Sequence, residues 1–153
     1  MTASPGCWQL YGELMARAYA QPAVPALQAL SVDCYAVQHP DGAAADRRQR
    51  QSVAVHLIAL SLLRDASRPP QHVARLRGRI SQLALPRLGL ADWPYLAPPN
   101  EYAPVTVADV HRAAGTPGYP DMLEAWTRAA WTAWAAHHDT VRAWAAAAVG
   151  RQA

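Results

Sequence analysis

The chain has 153 residues, 52% of them hydrophobic and 16% charged, with a formal net charge of +3. That length fits one domain, residues 1–153, able to bury a core without disulfides or metals as staples. The composition is too apolar for a disordered chain, and no apolar run approaches the roughly 20 residues that a membrane-spanning helix needs.

Met1 to Trp8 carries neither the basic nor the apolar stretch of a secretory signal, so a cytoplasmic location is expected. Trp8, Tyr11, Leu14, Met15 and Ala18 recur at three- and four-residue steps and predict a first helix from Trp8 to Tyr19. Pro22 and Pro25 interrupt the chain. Leu27, Leu30, Cys34 and Val37 form the apolar stripe of a second helix over Ala26–Val37. His39-Pro40-Asp41-Gly42 ends it, because a residue before proline avoids the helical region and Asp-Gly favours a turn. Cys34 reads as a reduced core residue, and with Cys7 it forms no CxxC pair.

A third helix spans Asp46 to Asp65 and puts Ser52, His56, Leu60 and Leu63 on one face. A fourth, basic helix is predicted from Pro70 to Leu85. All 14 basic residues are arginine. The closest groupings, Arg47 with Arg48 and Arg50, and Arg75 with Arg77 and Arg79, each read as a solvated helix face rather than a phosphate patch. Trp93 to Pro104 is a Pro-rich loop with Trp93, Tyr95, Leu96 and Tyr102 to pack it down. Thr106 is the predicted N-cap of a short helix to Ala114, with Asp109 in the capping-box position. Val105–Val107 is the one candidate strand. The last helix is predicted from Asp121 to Val149, with Trp126, Ala130, Trp134, His137, Val141 and Trp144 on one side and His138 on the flank. The expected fold is therefore all-α, a helical bundle of about five to six helices with a Pro-rich loop.

Six histidines are present. His72 and His111 stand in polar settings and read as solvent-exposed. His39, His56, His137 and His138 lie on or beside apolar faces, and Asp33 lies on an otherwise apolar stretch of the second helix. Burying such groups without partners is costly. Three arrangements satisfy them, and the pattern leaves all three open. A divalent metal (zinc, iron or manganese) could take its ligands from Asp33, His39, His56, His137 and His138. Asp33 could instead orient His56 or His137 as a general base without metal, with Tyr35 and Tyr11 donating hydrogen bonds. Or the group is a hydrogen-bond network in the core of a non-catalytic interaction module. His137 and His138 diverge by about 100° on a regular helix, so only one fits a shared centre, and His137 is the better placed. No glycine-rich phosphate loop or nucleophile elbow is present. The partner expected is a small-molecule substrate, not nucleic acid or membrane.

Several segments carry a resemblance. They are Cys7-Trp8 with Tyr11-Gly12-Glu13-Leu14, Val32-Asp33 with Tyr35-Ala36-Val37-Gln38-His39-Pro40, and Gln51-Ser52-Val53-Ala54-Val55-His56-Leu57. Thr106-Val107-Ala108-Asp109-Val110 and the series Trp131, Trp134, His137, His138, Val141, Arg142, Trp144 continue it. Together they resemble a bacterial family of small proteins catalogued only as a domain of unknown function, over nearly the whole chain. The resemblance implies no activity. It singles out Asp33, His39, His56, His137 and His138, the set already reached from helical faces. Relatives often carry a knuckle-type cysteine pair that this sequence lacks, and a histidine where Gln28 stands. A metal-dependent enzyme or metal-binding domain is the leading expectation. A metal-free cyclase, isomerase or lyase of secondary metabolism is the alternative.

Overall fold

A computed structural model describes residues 5–20, 25–102 and 104–150. All regular structure among them is helical: α1 (Pro5–Ala20), α2 (Pro25–Gln38), α3 (Arg47–Arg64), α4 (Pro70–Arg77), α5 (Ile80–Leu88), α6 (Val107–Ala113), α7 (Tyr119–Ala133) and α8 (His138–Val149), with a 3-10 turn over Ala135–His137. Of the predicted punctuation and stripe residues, Pro22 and the side chains of Ala18, Pro25 and Leu27 lie outside the described residues.

The central helix is α3. Asp46 starts it from extended backbone, its carboxylate accepting the Arg48 N–H at 2.8 Å. Val53, Ala54 and every residue from Leu57 to Leu62 are buried. A helix apolar on almost every side must be surrounded, and α3 packs against α2, α4, α5, α7 and α8. α2 also lies on α7, α5 lies on α8, and α1 covers α6.

Two predicted helices are each broken in two, which turns six into eight. The helix expected over Pro70–Leu85 stops at Arg77 and restarts at Ile80. Pro70 suits the first turn of α4, where its missing N–H has no partner to lose. Gly78, the least helical residue short of proline, stands at the break. Gly89, with φ 68, closes α5 in the left-handed region while the Leu90 N–H returns to the Leu85 carbonyl at 3.0 Å.

The long helix expected over Asp121–Val149 ends at Ala133 and resumes at His138. Three-residue hydrogen bonds, Trp134 N–H to the Trp131 carbonyl and His137 N–H to the Trp134 carbonyl, tighten the chain there. Tertiary bonds favour the break: the Trp134 indole N–H donates to the Val37 carbonyl at 3.1 Å. The candidate strand is also overturned. Val105 lies outside regular structure and offers its carbonyl to Gln38, while Val107 opens α6.

The Pro-rich loop is ordered covering, as expected. Trp93 is buried, donates to Ser81 Oγ at 2.9 Å and tilts against Trp144 at 5.0 Å between ring centroids. Tyr95 instead points outward.

Candidate functional site

Asp33 is fully buried on α2. A carboxylate cannot be left there without compensation. Two side chains supply it. Arg77, from the last turn of α4, donates Nε to Oδ1 at 2.8 Å and Nη2 to Oδ2, a two-pronged grip on both oxygens. His56, from the middle of α3, brings Nδ1 to the same Oδ1 at 2.7 Å. Three helices therefore meet at one carboxyl group. The break after Arg77 matters here, because it ends α4 where this guanidinium can turn inward.

The proton inventory follows from the partners. A carboxylate gripped by a guanidinium is an acceptor only, so the Nδ1 facing it carries the hydrogen, and the lone pair of a neutral ring is then on Nε2. Among the described residues Nε2 has no hydrogen-bond partner. The His56 side chain keeps 14% of its surface exposed, against 1% for Asp33. Cys34, beside Asp33 in the chain, has its thiol pushed well up by burial and then by the Asp33 charge, so it stays an unreactive thiol.

The other predicted site residues are bonded elsewhere, and none of them hydrogen-bonds to Asp33 or His56. His39 Nδ1 donates to the Tyr35 carbonyl at 2.9 Å, and the two rings stack at 4.0 Å. Tyr35 is sandwiched by Tyr11 on its other side at 4.2 Å, so neither tyrosine serves the Asp33 carboxylate. Among the described residues the buried Nε2 of His39 and the hydroxyls of Tyr35 and Tyr102 have no partner. Burial pushes the His39 pKa down, opposed by the Tyr35 carbonyl, and pushes the Tyr35 hydroxyl up.

His137 Nε2 donates to the Ala97 carbonyl at 2.8 Å and anchors the Pro-rich loop. His138 stacks on Trp131 at 3.8 Å and donates to the Trp131 carbonyl at 2.9 Å. The break between α7 and α8 also moves His137 off the face on which a continuous helix would have set it. The expected meeting of His56 with His39 and one of His137 and His138 is thus not what the fold produces. Among the described residues, no three His, Cys, Asp or Glu side chains form a group that could hold a metal ion. His111 also differs from expectation: it is half-buried and bonded to Glu13 at 2.7 Å, tying α6 to α1.

Arg77 is the site residue that sequence reasoning missed, having been placed on a solvated face with Arg75 and Arg79. The signal was the need of a buried Asp33 for a cation. Gln38 was missed as well. It is fully buried, donates to the Val105 carbonyl at 2.9 Å and accepts the Trp126 indole N–H at 2.9 Å.

Neither a curated protein nor a solved structure matches the chain. A family model does match, over residues 1–135, and its description is a family of unknown function (DUF5946). The chain belongs to that family of unknown function.

Proposed function

We propose that this protein is an acid–base enzyme acting on a small organic molecule, with His56 as its base. The observation that carries the reading is the 2.7 Å contact of His56 Nδ1 with a carboxylate that is 1% exposed. A buried acid behind one ring nitrogen fixes the tautomer and presents the other nitrogen outward as a lone pair. Nε2 would take a proton from the substrate. The resulting imidazolium would rest against Asp33, whose charge is already balanced by Arg77. The same nitrogen would return the proton at another atom, which is the economy of an isomerase, lyase or cyclase. Cys7 and Cys34 form no disulfide, which fits the cytoplasmic location proposed with it.

A second reading has one specific support. An imidazole whose Nδ1–H is held by a carboxylate is also the form that ligates zinc, iron or manganese through Nε2. That reading needs further ligands beside His56, and His39, His137 and His138 are each hydrogen-bonded to backbone carbonyls instead.

Nitrogen-15 NMR of histidine-labelled protein tests the proposal, together with a screen of small organic molecules. The expected result is a His56 ring protonated on Nδ1 at neutral pH, with ligands that shift its Nε2 signal and lose affinity in a folded His56→Ala variant. A His56 carrying its proton on Nε2 would sink the idea. So would ligands that bind equally well without the imidazole, and a zinc-dependent shift of Nε2 at stoichiometric metal would favour the second reading.

A further inference from the structure

The arginine run of α4 and α5 divides. Arg77 turns inward to Asp33, while Arg75 and Arg79 turn outward onto a groove between α4, α5 and α8, with a volume of about 440 Å³. Arg68, His72 and Arg87 line the same groove, and among the described residues no carboxylate does. Its apolar wall comes from Leu76, Leu83 and Val149.

The charges of this groove are left over in a specific sense. Elsewhere on the surface many arginines find acids: Arg47 pairs with Asp92, Arg64 with Glu124, Arg112 with Asp109, and Arg142 with Asp65, while Arg50 bonds to backbone carbonyls and Arg48 forms no ion pair among the described residues. Among the described residues Arg68, Arg75, Arg79 and Arg87 pair with none. Asp65 stands close by, on a smaller hollow that shares Arg68 and Val149 with this groove, but Arg142 holds it at 2.8 Å. Four like charges around one concavity repel one another and raise the local concentration of anions.

Two of the four are positioned by the backbone. Arg87 Nη1 donates to the Ala147 carbonyl at 2.7 Å, at the C-terminal end of α8. Gly150, with φ 77, closes that helix, and a Cβ there would meet the Arg87 guanidinium at 3.4 Å. Arg68 follows Ser67, a non-glycine residue held at φ 48, and its N–H bonds back to the Leu62 carbonyl at 3.0 Å. A left-handed serine is a strained way to leave a helix, and it delivers Arg68 onto the rim.

We infer that this groove binds a small organic phosphate, its phosphoryl oxygens held by Arg75 and Arg79 and its apolar body lying on Leu76, Leu83 and Val149. Guanidinium forks match phosphate geometry, and the apolar wall distinguishes an organic phosphate from the bare ion. The volume suits a small-molecule site. The inference goes beyond the proposed chemistry of His56 and does not depend on it.

Titration of the full chain with phenyl phosphate, followed by NMR, is the test, with inorganic phosphate and a single-stranded oligonucleotide as comparison probes. Phenyl phosphate is expected to shift groove residues and to bind more tightly than inorganic phosphate. The Arg75→Ala/Arg79→Ala double variant should weaken it by about tenfold or more, while Arg48→Ala, away from the groove, should leave it unchanged. Should the double variant misfold, Arg75→Lys/Arg79→Lys keeps the charge, loses the fork, and should still weaken binding. Unchanged affinity in the folded arginine variants overturns the inference, as does failure of phenyl phosphate to bind at millimolar concentration. Tight binding of the oligonucleotide with a steep salt dependence, where phenyl phosphate binds weakly, overturns it in favour of nucleic acid.

Discussion

One amide joins three parts of the chain. Gln38 ends α2, and through its two polar atoms it holds both the segment leading into α6 and the indole of Trp126 on α7. Gln38→Leu keeps the volume and leaves a buried carbonyl and a buried indole N–H unpaired, at about 1–3 kcal/mol for each orphaned group. Urea denaturation is expected to show a loss of about 3 kcal/mol, with Gln38→Glu also destabilised because its carboxylate cannot donate to Val105. A loss below half a kilocalorie would mean that water replaces the amide. Residues of this kind were only partly legible in the sequence. Asp33 was found because a carboxylate on an apolar stripe demands an explanation. His56 was found for the same reason, and the two do meet. Gln38 and Arg77 were not, because a polar residue at a helix end or in a basic run has a ready explanation in solvent, and only the fold removes it.

Helix starts were easier to read than helix interruptions. The start of α6 is an example: the Thr106 N–H donates to Asp109 Oδ2 at 2.8 Å, and the Arg112 side chain pairs with the same carboxylate. Asp109→Ala is expected to lower stability by about 1 kcal/mol and the melting temperature by a few degrees, as measured by calorimetry. An unchanged melting temperature would show that packing on α1 and α7 alone holds this short helix. The interruptions were hidden because periodicity averages over a window and carries through a local break. Between α7 and α8 no glycine or proline marks the change. The bonds that favour it come from elsewhere, from Val37 to the Trp134 indole and from Ala97 to His137. That is why His137 did not join His56 and Asp33 at one point: the side on which His137 sits depends on a turn that no local signal announced.

Across the whole molecule, pH acts through groups that burial has shifted. His39 has its pKa lowered from 6.5, first by burial. The unfolded chain therefore holds more protons than the folded one below that value, and stability rises with pH across the interval. The contribution is complete above about 6.5 and is lost as pH falls toward the lowered pKa. Melting temperatures at pH 7 and pH 5.5 should differ, and the difference should shrink in His39→Gln. An equal difference in both proteins would place the sensitivity in other groups.

The grip of Arg77 on Asp33 joins residues 44 apart, and this has a consequence for how the chain comes into being. Synthesis delivers Asp33 first, then His56, and the guanidinium last. Until α4 has emerged, closing α2 onto α3 would bury a carboxylate with only an imidazole for company, although Asp33 and His56 are already made. The order of burial is then expected to follow the order of translation, with α2 closing fully onto α3 only once α4 supplies the cation that completes the site.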